Sequence, residues 1–232
     1  MNKKIFIAMA VLGLAAMACG INTNVPTPSS IPNANPTAGS GAITTGTVLF
    51  QDNFADPNSG WGHSSTADGT TDYQYGGYRI NVTAANTYLW ANPAQSLQND
   101  VIVEVDATKQ GGPDDNAFGV MCRYQDTNNF YKFYLSSDGY AGIVKIENGT
   151  STVISAADGQ LHTVNGVNQG QATNHIRADC IGTTVTLYAN GNQVATATDS
   201  TFTNGGDVGL AAAAYATSGT DILFTNFLVS KP

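Results

Sequence analysis

The chain has 232 residues, 42% of them hydrophobic but only 11% charged, less than half of the roughly 25% usual in soluble proteins. Nine Lys and Arg stand against 17 Asp and Glu, a formal net charge of −8, and no basic run exists. Nothing here would offset phosphate repulsion, which excludes a nucleic-acid binder; three cysteines and three scattered histidines exclude a zinc finger or an iron–sulfur centre.

The first element, residues 1–18, is an export signal. Lys3 and Lys4 precede an almost unbroken apolar run from Ile5 to Cys19. At about 1.5 Å per residue this run reaches ~22 Å, short of the ~30 Å hydrocarbon core. A basic start, a short apolar stretch and small residues before Cys19 have the form of a signal peptide rather than a membrane span. The end of the run, Ala16-Met17-Ala18-Cys19, resembles the lipobox of bacterial lipoproteins. That resemblance implies acylation of Cys19, which becomes the mature N-terminus, and a lipid-anchored protein at the bacterial cell surface or envelope. The alternative is ordinary secretory cleavage at the same bond and a secreted protein. Cleavage removes two lysines, so seven cations remain against 17 acids, a net charge of −10.

Residues 19–46 form a tether. Pro26, Pro28, Pro32 and Pro36 alternate with Ser, Thr, Asn and Gly, without a charge or an aromatic ring between Gly20 and Gly46. Such a stretch cannot bury enough apolar surface to offset its ordering entropy.

Residues 47–232 are expected to form one β-sandwich. Alternation of apolar and polar residues predicts strands at 101–107, 117–124, 129–135, 140–147, 175–180, 184–189 and 221–229. Ala211 to Ala216 is read as a strand of small residues continuing from Asp207-Val-Gly-Leu210. Turn chemistry separates these runs, including Ser137-Asp-Gly139, Asn148-Gly149 and Asn190-Gly191.

Strand parity assigns faces. One set is apolar and is placed in the core between two sheets: Val101, Val103 and Val105; Phe118, Val120 and Cys122; Tyr131, Phe133 and Leu135; Tyr140, Val144 and Ile146; Ile176, Ala178 and Cys180. With Cys19 acylated, Cys122 and Cys180 remain as an even pair in an exported chain, both on the core parity, and a disulfide between them is expected. Two buried free thiols are the alternative. The opposite parity carries Glu104 and Asp106, Met121 and Arg123, Phe130, Lys132 and Tyr134, Lys145 and Glu147, and His175, Arg177 and Asp179. Such a mixture of cations, acids and aromatics can hydrogen-bond and stack sugars, or be a solvated face with cross-strand ion pairs. Glu104, Asp106, Arg123, Lys132, Tyr134 and Arg177 are the candidate ligand-binding residues.

Several segments carry a resemblance in consistent order: Asp52-Asn-Phe-Ala-Asp-Pro-Asn-Ser-Gly-Trp61, Asp100 to Asp106, Phe118 to Asp126 with Asn129-Phe-Tyr131, Asp138-Gly-Tyr140, and Gly206-Asp-Val-Gly-Leu210 with Asn226-Phe227. They resemble exported bacterial jelly-roll domains of the concanavalin A-like lectin and glucanase superfamily, including the laminin G-like and 3-keto-disaccharide hydrolase branches. The resemblance covers nearly all of 47–232. It implies an all-β fold of two antiparallel sheets of roughly six strands each, the concave one often carrying ligand.

Laminarinase-like members use a Glu-x-Asp-x-x-Glu or Glu-x-Asp-x-Glu strand. Glu104 and Asp106 match its first two positions, but Thr108 or Lys109 stands where the third carboxylate belongs, and Glu147 is the only other glutamate. A retaining glycosidase needs two carboxyls about 5 Å apart, so catalysis is not expected from this strand. No Gly-x-Ser-x-Gly, His-Glu-x-x-His or phosphate-binding glycine loop is present. His63, His162 and His175 are read as surface or satisfied histidines. Calcium, which takes six to eight oxygens, has candidate loops at Asp68–Asp72, Asp114–Asn116 and Asp126–Asn129; no other cofactor is implied. Trp61 and Trp90 are read as a turn anchor and a core or rim aromatic, with sugar stacking the lesser alternative. The expected function is a lipid-anchored, non-catalytic carbohydrate-binding or adhesive module whose partner is a polysaccharide or glycoconjugate. The alternatives are a glycan hydrolase and a structural or protein-binding envelope domain.

Overall fold

The computed structural model describes residues 46–97 and 99–232. The signal 1–18, Cys19 and the tether 19–46, Gly46 apart, lie outside the described residues.

Within them the chain forms sixteen strands: β1 (Val48–Asp52), β2 (Ser64–Thr66), β3 (Gly69–Gln74), β4 (Gly77–Val82), β5 (Thr87–Ala91), β6 (Val101–Gly111), β7 (Asn116–Asp126) and β8 (Asn129–Leu135), followed by β9 (Tyr140–Glu147), β10 (Thr150–Val153), β11 (His162–Thr163), β12 (Thr173–Ile181), β13 (Thr184–Ala189), β14 (Asn192–Thr198), β15 (Asp207–Ala214) and β16 (Thr220–Ser230). Each strand expected from alternation is present, and Asp207–Ala214 is a strand although it is rich in alanine. β6 and β16, each 11 residues long, pair at the centre of one sheet.

Every pairing is antiparallel. A nine-stranded sheet runs β14-β13-β12-β6-β16-β4-β3-β2, with β1 beside the second half of β16. A seven-stranded sheet runs β10-β9-β8-β7-β15-β5, with β11 beside β9. Two antiparallel sheets face to face make the expected jelly-roll sandwich, with more strands than the six per sheet expected, because short strands extend both edges. Two-residue Asn-Gly loops close the β9–β10 and β13–β14 hairpins. Asn148 and Gly149 have φ of 50° and 77°, and Asn190 and Gly191 have 51° and 81°. The mirror-image turn that matches strand twist requires such positive values at both positions.

The core between the sheets holds Val101, Val103, Val105, Phe118, Val120, Tyr131, Phe133, Leu135, Ile176 and Ala178, as their parity requires. Trp61 is buried in the same core. Its indole N–H donates to Asp52 at 2.9 Å, and its ring meets Phe227 edge-on at 4.9 Å. Cys122 of β7 and Cys180 of β12 are disulfide-bonded across this core, with 6.8 Å between their Cα atoms, and so tie one sheet to the other.

Strand β9 corrects the parity assignment. Ala141 and Ile143 face the inter-sheet core; Val144 and Ile146 lie on the outer face of the seven-stranded sheet, and Tyr140 is 39% exposed. The reason is that both faces of β9 are apolar, so alternation carried no sign. Lys145 shares the inner parity and reaches the sandwich edge, where its ammonium pairs with Asp199 at 2.9 Å and Glu147 at 3.0 Å.

Candidate functional site

The residues expected on one ligand face are divided among three places. Glu104 and Asp106 of β6 and Arg177 of β12 lie on the outer face of the nine-stranded sheet, brought together by the register His175↔Asp106 and Arg177↔Glu104. His175 bridges the two acids, its Nδ1 2.8 Å from Asp106 and its Nε2 3.4 Å from Glu104. These bonds push the imidazole up to about 9 and hold both carboxyls below their ordinary values. The Asn226 amide donates to Asp106 at 2.8 Å, while Arg177 holds Asp179 through Nε at 2.6 Å and Nη2 at 3.0 Å. This is a mutually neutralising polar surface.

Arg123 is the second place, and its position is a correction. The register of β7 and β8 shifts between Cys122 and Asp126, and Arg123 takes a φ of 51° there. The bulge turns its side chain inward, to 1% exposure. The guanidinium then donates to the carbonyls of Asn99 (3.1 Å) and Phe202 (2.7 Å) and approaches Asp100 at 3.4 Å. It clamps two loops.

Lys132 and Tyr134 of β8 lie on the outer face of the seven-stranded sheet, which has a character of its own. A second apolar cluster forms there from Ala117, Met121, Phe130, Tyr134, Val144, Ile146, Ala211 and Ala213, with Tyr88, Trp90, Tyr124 and Tyr215 packed against it and partly exposed. Transverse registers explain the shape. Trp90 of β5 stands beside Ala211 of β15, which faces Gly119 of β7, then Tyr134, then Gly142 of β9. Small residues on β7 and β15 thus floor a trough walled by the aromatics of β5 and β8. Over that floor Lys132 Nζ meets the Tyr88 ring at 4.0 Å, with Tyr134 at 5.1 Å and Phe130 at 6.0 Å. Burial pushes Lys132 down to about 8 and Tyr134 well above its ordinary value.

A cleft opens at each end of the trough. One, of about 640 Å³, is lined by Asp115, Asn116, Asp138, Gln160, Leu161 and Tyr215. Burial, aided by the charges of Asp115 and Asp138, pushes Tyr215 up to about 12. The other, of about 570 Å³, is lined by Asn92, Gln95, Asn99, Tyr124, Gln125 and Asp207. Asp207 accepts from the Asn92 amide at 2.6 Å and from the backbone N–H of Gln95 at 3.0 Å. Strand β7 runs from Asn116 in the first cleft to Gln125 in the second, about 30 Å at ~3.3 Å per residue. Rings in the middle with amides, hydroxyls and carboxylates at the ends suit a ligand with both apolar faces and hydroxyl edges.

Tyr88, Tyr215 and Asp138 went unrecognised as site residues in the sequence, and Asp115 was expected only as part of a calcium loop. The available signal was the spacing of Tyr88 and Trp90, two apart and so on one face, opposite an Ala-x-Ala pair at Ala211 and Ala213. All three histidines sit beside acids, His63 with Asp72 at 2.7 Å and His162 with Asp158 at 3.0 Å. Among the described residues no three His, Cys, Asp or Glu side chains converge as metal ligands. In the candidate calcium loop at Asp126 the carboxylate accepts from the Asn128 N–H and the Asn129 amide.

No family model matches the chain, and no curated protein does. Solved structures do share its fold. The carbohydrate-binding module CBM66 from Bacillus subtilis is 21% identical, with a TM-score of 0.58 over 75% of this chain and 96% of its own. The β-glucanase of Bacillus licheniformis is 12% identical, with a TM-score of 0.56 over 81% of this chain and 100% of its own. A Bacillus subtilis protein of unknown function with a galectin-like fold is 10% identical, with a TM-score of 0.56 over 80% and 96%. Identity at this level establishes the jelly-roll fold, and sites must be argued from their own residues.

Proposed function

We propose that this protein is a non-catalytic carbohydrate-binding module, held at the bacterial cell surface through a lipid on Cys19, and that it binds a polysaccharide or glycoconjugate along the outer face of the seven-stranded sheet. One observation carries the reading: Tyr88, Trp90 and Tyr215 stand partly exposed over a floor of Ala and Gly, between two polar clefts. Pyranose rings present C–H faces to aromatic side chains, and their hydroxyls pair with amides such as Asn92, Gln95 and Gln160. The fold shared with a carbohydrate-binding module supports this. Placement of Glu104 and Asp106 on the opposite sheet, both engaged by His175, argues against glucanase-type hydrolysis on that strand.

A glycan array probed with the full chain tests the proposal. Binding is expected, and Trp90→Ala or Tyr88→Ala should weaken it at least tenfold while leaving the thermal unfolding midpoint within a few degrees. Failure to bind any glycan on a broad array would overturn it. A hydrolase reading draws on Asp115 and Asp138 in the larger cleft. Product release from a bound oligosaccharide, abolished by Asp115→Asn or Asp138→Asn, would replace the non-catalytic role with that one.

A further inference from the structure

Resting on the carbohydrate-binding reading of this face, we propose that its ligand is an acidic sugar, and that Lys132 with the hydroxyl of Tyr134 receives the anionic group, a uronate carboxylate or a sulfate ester.

Charge pairing in the domain isolates one cation. Arg79 pairs with Asp221, Lys109 with Asp114, Arg123 with Asp100, Lys145 with Asp199 and Arg177 with Asp179. Lys231 is exposed near the C-terminus. Lys132 is 4% exposed and is the buried cation that has no acid beside it among the described residues. Its surroundings are the rings of Tyr88, Tyr134 and Phe130. Cation–π contacts return only part of the cost of taking an ammonium out of water.

A second observation points the same way. The Tyr134 hydroxyl is buried and has no hydrogen-bond partner. It sits two residues from Lys132 on the same face of β8, its ring 5.1 Å from Nζ, and neither donor has an acceptor among the described residues. A core selected for stability alone would carry Met and Phe at these positions. A two-oxygen anion satisfies both donors at once.

The remainder of the site limits the ligand. The domain carries an excess of acids, and Asp115 and Asp138 line the neighbouring cleft. A densely charged polyanion is disfavoured there, whereas isolated acidic units on a largely neutral chain are accommodated. Tyr88, the ring over Nζ, belongs to the edge strand β5, is partly exposed and packs on Trp90 at 5.4 Å. A turn of this ring toward solvent would open a path to Nζ for the group.

The test uses the full chain and an array of matched oligosaccharides: uronate-containing glycans beside their carboxyl-reduced forms, and sulfated glycans beside their desulfated forms. The acidic member of at least one pair should bind about tenfold or more tighter than its neutral partner, and which pair responds identifies the group. Lys132→Met should bring that ratio to about one while retaining binding of the neutral member, and Tyr134→Phe should reduce it. Because Lys132→Met replaces a buried charge by an apolar chain of similar shape, its unfolding midpoint should be unchanged or raised, which separates lost recognition from lost folding. Equal binding within every pair, or a ratio that survives in Lys132→Met, overturns this inference and leaves the carbohydrate-binding face standing. Absence of binding to all members overturns both.

Discussion

Three cations of one strand parity show how little a residue type says about its task. Arg123 is turned inward by a single residue of positive φ and spends its donors on loop carbonyls. Arg177 pairs with Asp179 two positions along its own strand. Lys132 is packed among rings with no acid. His175 belongs to the same scale and gives a measurable consequence. Its folded value, about 9, lies above the ordinary 6.5 because Asp106 and Glu104 accept from both ring nitrogens; Arg177 and Asn226 complete its polar surroundings. A raised histidine stabilises the fold fully below about 6.5 and loses that contribution as pH climbs through about 9. The two acids, held low, lose theirs at the acidic end. The imidazole is about half exposed, and screening limits the effect to roughly 1 kcal/mol. Urea unfolding of the wild type and His175→Asn should therefore differ by about that amount near pH 6 and converge by about pH 10. An equal difference at both values would show that the bridge is not ionic.

At the scale of elements, alternation made β6, β8, β12 and β16 legible, because each buries one face against the other sheet and leaves the other polar or aromatic. It failed on β9, where Val144 and Ile146 cover the outer face and Ile143 the inner one. It was silent on β5, whose Tyr88 and Trp90 matter only because β15 and β7 place Ala211, Ala213, Ala117 and Gly119 in front of them. The disulfide, by contrast, was expected from the shared parity of Cys122 and Cys180 together with the reading of Cys19 as a lipid attachment point in an exported chain. Joining β7 to β12 across 58 residues, it constrains the unfolded chain by roughly 4 kcal/mol on the loop-entropy estimate. A Cys122→Ala, Cys180→Ala variant should lose stability of about that size in denaturant titration. The wild type should show the same loss under reductant once the buried bridge is reached. A loss well under about 1 kcal/mol would mean that the unfolded state keeps the two sheets' strands close without it.

At the scale of the whole molecule the scarce charge acquires a distribution. Past residue 18 the chain is more acidic than its total implies, and its cations are spread over both outer faces and the interior rather than gathered on one. The proposed anchoring adds an end to this layout: a lipid on Cys19, then the proline-rich tether, then the sandwich. Cells grown with a fatty-acid analogue should label the wild-type protein and not Cys19→Ala, and the variant should appear in the medium. Label retained on Cys19→Ala would exclude that anchor.

From local order alone the sequence determined the strand pattern, the Asn-Gly hairpins, the parity of the two cysteines and the incomplete acid pair at Glu104 and Asp106, since a period of two residues and the turn's need for positive φ are properties of neighbours. Only the tertiary structure decided which sheet each strand joined. Lys132 and Arg177 share a parity within their strands, yet β8 and β12 lie in opposite sheets, so the two side chains point out of opposite sides of the sandwich. Alternation fixes which way a side chain points relative to its own strand; the pairing of strands far apart in the chain fixes what it faces.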